Sequence, residues 1–188
     1  MTRVEQKDDE LRVAGFFIQR LNEFYKFDYQ GSSNADESGD DVYVDIFARS
    51  DSGKHEELRL QLTISDGEFH HVFAEISKER RKKNLPYVFG RTIGGHILDP
   101  IKAVLEKKGQ KTSGEEILII YNDYTAGIQP FDANYAKTEL PQLAQEVKFK
   151  GVYLVILPPS FLPGTSTVNH EGQIVALKNA FGENGEVF

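Results

Sequence analysis

The sequence predicts an α/β fold, with helices layered on both sides of a mixed sheet in a three-layer α/β/α arrangement, and three features carry that expectation. An amphipathic stripe opens the chain, two alternating runs follow it, and two nearly continuous apolar runs come later. Over residues 8–25, Leu11, Ala14, Phe17, Leu21 and Phe24 recur at intervals of three and four, as on one face of a helix. Glu10 falls on the same stripe, close to the expected helix start, where the dipole favours an anion. Residues 30–41 lack periodicity and are rich in Gly, Ser, Asn and Asp, so they are expected to form an exposed loop.

Residues 41–48 (DVYVDIFA) and 57–64 (ELRLQLTI) alternate as strands do, and Gly53 between them suits a hairpin turn. A turn centred on Gly53 sets Val44 against Leu62, Ile46 against Leu60 and Ala48 against Leu58, which makes one face aliphatic. Asp99-Pro100 ahead of IKAVLEKKG predicts a helix with an Asp cap, Pro at its first position and Gly past its end. EILIIYND at 116–123 and GVYLVILPP at 151–159 have the composition of strands covered on both faces. Between them a short helix is expected near 139–147, with Leu140, Leu143, Ala144 and Val147 inward, and QIVALKN suits an edge strand. The helix from Pro100 then forms the right-handed crossover between the strands of Leu62 and Ile119.

A length of 188 residues suits one domain over 1–188, with an acidic loop at 31–40 and a C-terminal extension at 158–188. The mixture of 39% hydrophobic and 27% charged residues excludes disordered and fibrous classes. There is no Cys, which removes disulfides, thiolate zinc sites and cysteine nucleophiles. The opening MTRVEQKDDELR is too charged for a secretion signal, and no apolar run approaches the roughly 20 residues of a membrane span. A cytoplasmic protein with no membrane contact is the expectation. The net charge of −7 opposes a surface that embraces polyphosphate everywhere, but not a local basic patch.

Chemistry is expected on the polar face of the hairpin. There the register puts Asp45 beside Gln61, Tyr43 beside Thr63 and Phe47 beside Arg59. Tyr43 and Phe47 flank Asp45 and suggest partial cover, under which an ionised carboxylate needs a cation or donor. On these residues, VYVDIF with Asp45, LRLQLT with Gln61-Leu62-Thr63, and Glu10 on the first helix, the chain resembles the restriction-endonuclease-like nucleases of the PD-(D/E)xK superfamily. The segment ILDPIKAVLEKKGQKTSGEEILIIYND also resembles the helix, Lys-rich end, loop and buried strand that follow the site in some branches. The resemblance covers most of residues 4–157 and rests on pattern and order.

That superfamily shares a helix–strand–strand–strand–helix–strand core, with an Asp on one strand, an acid-x-Lys triplet on the next and often a Glu from the first helix. The resemblance implies a restriction-endonuclease-like core and DNA as substrate, with catalytic roles for Asp45, Gln61, Thr63 and Glu10. It also implies a Mg²⁺ or Mn²⁺ ion held by Asp45 with Gln61 or Glu10 and the Leu62 carbonyl. Two positions depart from the pattern: Gln61 offers a neutral amide oxygen in place of an acid, and Thr63 brings no positive charge. Lys78, Arg81 and Lys102 are the candidate replacements for the missing lysine. The alternative is a catalytically inactive module on the same fold that binds nucleic acid or a protein. A further rival is an acidic adaptor with no nucleic-acid contact. Restriction enzymes often dimerise, so a homodimer stays open.

Within Lys78–Lys83, the side chains of Lys78, Arg80, Arg81, Lys82 and Lys83 are dense enough to grip a phosphate backbone. His70 and His71 are adjacent, so they point apart and form no two-His clamp. Neither phosphate-cradling glycine motif occurs around Gly94-Gly95, and there is no Gly-x-Ser-x-Gly elbow. Asp8–Asp9 and Glu115–Glu116 stand at the expected helix and strand starts, where dipole and solvation account for them.

Overall fold

Alternation and helical periodicity resolve into a single sheet with helices against its faces. The structure, a computed structural model, describes residues 3–34, 44–64, 98–122, 140–156 and 172–188. Its elements in chain order are α1 (Arg3–Tyr25), β1 (Tyr29–Asn34), β2 (Ile46–Ser50), β3 (Leu58–Ile64), α2 (Leu98–Lys108), β4 (Ile117–Asn122), α3 (Leu140–Ala144), β5 (Gly151–Ile156) and β6 (Gln173–Lys178). The fold is mixed α/β, and the six strands lie side by side in chain order. β1, β2 and β3 form an antiparallel meander, β3, β4 and β5 run parallel, and β6 returns antiparallel to β5.

The hairpin register is the expected one: Ile46 pairs with Leu60, Phe47 with Arg59 and Ala48 with Leu58. Gly53 sits in its turn at φ +66°, a left-handed conformation that costs glycine little. Three expectations need correction. The first helix starts at Arg3, so Asp8, Asp9 and Glu10 lie inside it and not at its dipole end. Tyr29–Asn34 is a strand, where a loop was expected over 30–41. Its pairing with β2 comes from backbone hydrogen bonding, which needs no apolar alternation, and the register shifts between Gln30 and Ser32. The second helix includes Leu98 and Asp99 in its first turn, so its start lies one or two residues earlier than the cap pattern implied.

Two apolar clusters cover the two faces of the sheet. Val13, Ala14, Phe17 and Leu21 of α1 pack with Ile46, Leu60, Leu62, Ile117, Ile119 and Tyr153. Ile101 and Leu105 of α2 and Ala144 of α3 pack on the opposite face with Leu118, Ile120, Val152 and Leu154. β3 is divided accordingly. Leu60 and Leu62 share the α1 face with their partners Ile117 and Ile119, while Gln61 and Thr63 share the α2 face with Leu118 and Ile120. β6 is buried along most of its length, and the segment after it turns back so that Val187 bridges Val175. Among the described residues, no helix is long and apolar enough to cross a membrane.

Candidate functional site

The cluster beneath α2 takes its strand residues from β4, β5 and β6 and none from β2 or β3. On that face the polar residues of the hairpin begin where the apolar packing of the described residues stops. Asp45 stands one residue before β2, and the register carried one step past Ile46 and Leu60 sets it opposite Gln61. Its N–H donates to the Leu60 carbonyl at 2.9 Å, and its carboxylate Oδ2 accepts the Leu62 N–H at 2.7 Å. The carboxylate therefore stands in for a backbone carbonyl and ties the start of β2 to β3. Asp45 and Thr63 are half-buried and Gln61 is buried.

Lys108 lies on the sheet-facing side of α2. Ile101, Leu105 and Lys108 fall at i, i+4 and i+7 on α2, one stripe directed at the sheet. A helix joining two parallel strands must run back along them, which carries its last turn toward the start of β4. There Leu118 pairs with Gln61, next to Asp45. Burial pushes the Lys108 ammonium below the ordinary lysine range, the carboxylates of Asp45 and Glu10 oppose that shift, and the neighbouring charges of Lys111 and Lys107 reinforce it. Among the described residues Lys108 forms no ion pair.

Glu10 lies on α1, half-buried. Asp45, Gln61 and Thr63 thus share one sheet face, whereas α1, which carries Glu10, packs against the other. Among the described residues, no group of three or more His, Asp and Glu side chains stands ready to hold a metal. Two carboxylates with an amide oxygen are nevertheless a hard oxygen donor set, and Mg²⁺ is commonly held by one or two carboxylates with the rest of its shell supplied by water and phosphate. By donor chemistry Asp45, Glu10 and Gln61 fit such an ion.

Lys102 does not lie with this group. It is exposed and lines a groove between α2 and α3 with Glu106, Gln142 and Glu146. Lys78, Arg80, Arg81, Lys82 and Lys83 lie outside the described residues, as do Tyr43, His70 and His71. Lys108 was missed by the sequence reading, although its place on the Ile101–Leu105 stripe marks a lysine turned inward.

Glu116 also differs from expectation. It is buried, not solvated, and its carboxylate accepts the Thr112 hydroxyl at 2.5 Å, the Ser113 hydroxyl at 2.7 Å, the Ser113 N–H at 2.9 Å and the Gly114 N–H at 3.2 Å. Burial alone would raise its pKa, but the hydroxyl and amide donors prevail and hold it below the usual glutamate range. Its role is to fasten the connection between α2 and β4.

Comparison with protein-family models, with curated proteins and with solved structures finds no match to this chain.

Proposed function

We propose that this chain is a divalent-metal-dependent nuclease that hydrolyses DNA phosphodiester bonds on a three-layer, restriction-endonuclease-like core. The observation that carries the reading is the placement of Asp45, Gln61 and Thr63 on one sheet face, the face on which Lys108 lies along the inward stripe of α2. The order of the described elements, α1-β1-β2-β3-α2-β4, supports it, because it follows the helix–strand–strand–strand–helix–strand succession of that superfamily. Lys108 supplies from the helix the positive charge that Thr63 lacks.

In this reading Asp45 and Glu10 present carboxylate oxygens, and Gln61 an amide oxygen, to one Mg²⁺ or Mn²⁺ ion. Such an ion, when bound, lowers the pKa of a water and stabilises charge on phosphate oxygens. The Leu62 N–H fixes the Asp45 carboxylate in place, so the oxygen ligand is preorganised. Lys108 neutralises charge that develops on the phosphate, and Thr63 offers a hydroxyl along the same strand face.

The test is incubation with single- and double-stranded DNA under Mn²⁺, with wild type and Asp45→Asn in parallel. Wild type is expected to cut and the variant not to cut. The variant keeps its fold, because the Asn oxygen still accepts the Leu62 N–H. Mn²⁺ should raise the melting temperature of wild type but not of Asp45→Ala. Undiminished cutting by Asp45→Asn would rule the site out. A second reading, a binding module without catalysis, is favoured by the amide at Gln61 in place of an acid. Salt-sensitive DNA retention with no cutting would select it.

A further inference from the structure

The end of α2 carries more positive charge than one phosphate requires. Lys107, Lys108 and Lys111 fall within five residues. The chain holds them together: the Gly109 N–H donates to the Leu105 carbonyl at 2.8 Å, and the Lys111 N–H donates to the Lys108 carbonyl at 2.7 Å. Lys107 and Lys111 are exposed, whereas Lys108 is half-buried. Among the described residues neither Lys107 nor Lys111 forms an ion pair, although carboxylates outnumber cations in the chain. Two exposed ammonium groups without ion-pair partners, next to the charge of Lys108, are relieved by an anion with several charges. The C-terminal end of a helix dipole repels anions, so the attraction must come from the side chains themselves.

We propose that Lys107 and Lys111 grip successive backbone phosphates of a DNA strand and lead it past the end of α2 to the Asp45–Lys108 site. The placement of the reacting phosphate rests on the nuclease reading above; the grip itself does not. With a net charge of −7 the protein has no general attraction for DNA, so a small number of local contacts must dominate binding and its dependence on salt.

The experiment measures binding of labelled single-stranded and duplex DNA over a salt series with Ca²⁺ present, for wild type, the double variant Lys107→Gln/Lys111→Gln, and Asp45→Asn. Loss of two phosphate contacts should flatten the log–log salt dependence by about 1.8 on duplex, or about 1.4 on a single strand, and weaken binding at low salt about tenfold or more. The melting temperature of the double variant should match wild type, since both side chains are exposed. An unchanged salt slope, or a wild type that binds neither DNA, overturns the inference. If the slope flattens but wild type never cuts under Mn²⁺, the nuclease reading falls and the grip stands. If cutting depends on Asp45 but the slope is unmoved, the grip falls and the nuclease reading stands.

Discussion

Lys108 sits where burial disfavours its charged form. Its pKa is depressed first by burial, so between its folded value and that of an ordinary lysine the native state binds fewer protons than the unfolded chain. Stability therefore rises with pH across that window, and at neutral pH the charged side chain is a burden. Lys108→Met should melt at the wild-type temperature or above it at pH 7, with the difference shrinking as pH rises, while Mn²⁺-dependent cutting is lost. A melting temperature several degrees lower would instead mark Lys108 as a structural partner of the two acids. Asp45 differs in kind, because its carboxylate serves the backbone of β3 as well as any ligand. Substitutions there should be judged with the isosteric Asn before Ala.

At the scale of elements, the link from α2 to β4 positions Lys108, and two residues control it. A methyl group on Gly109 would lie 2.7 Å from the Leu105 carbonyl oxygen and 3.2 Å from Val147 Cγ1, so the last turn of α2 must shift to admit it. Gly109→Ala should lower the melting temperature and reduce cutting together, whereas an effect on neither would show that the turn adapts freely. Glu116 fastens the other end of the link. Glu116→Gln sets an amide N–H₂ against hydroxyl and amide donors and should cost about 1–3 kcal/mol in urea denaturation at neutral pH. Because the folded pKa lies below the usual glutamate value, this contribution is complete above that value and fades as pH falls through the folded one. The gap between variant and wild type should accordingly close in acid.

Across the whole molecule, the segment after β6 is tied to α1 by a polar network under an aromatic cluster. Asn179 Nδ2 donates to the Tyr25 hydroxyl at 2.8 Å and to Glu186 Oε2 at 2.6 Å, and the Tyr153 hydroxyl donates to Asn179 Oδ1 at 2.8 Å. Tyr25 also donates to Glu186, and Phe24 stacks on Phe188 at 4.8 Å between ring centroids. Burial, then the bond to Glu186, pushes the Tyr25 hydroxyl from 10.0 to about 12. The native state therefore keeps a proton that the unfolded chain releases, and stability declines as pH rises through that interval. Asn179→Ala strands several partners at once and should cost about 1–3 kcal/mol in thermal or urea denaturation. No measurable change would mean that the network contributes nothing to holding the segment.

Local periodicity made much of this architecture legible. Gly53 and the alternation on either side of it determined the hairpin register, and with it the pairing of Asp45 with Gln61. The apolar spacing of 101–108 determined the second helix although its start lies ahead of the expected Asp99 cap, and Ile101, Leu105 and Lys108 already shared its inward stripe. β1 was not legible, because Tyr29–Asn34 pairs through its backbone and carries no alternating side-chain signal. Nor did spacing reveal that Glu116 is buried, since its four donors lie in a loop with no period. Tertiary structure alone decided which lysine of the α2 end is half-buried. Glu10 and Lys108 lie far apart in sequence, on helices packed against opposite sheet faces, and only the packing of α1 and α2 on a common sheet brings their charges within reach of each other. Periodicity reports which way a side chain faces within its own element, whereas the neighbours it meets depend on how separate elements pack together.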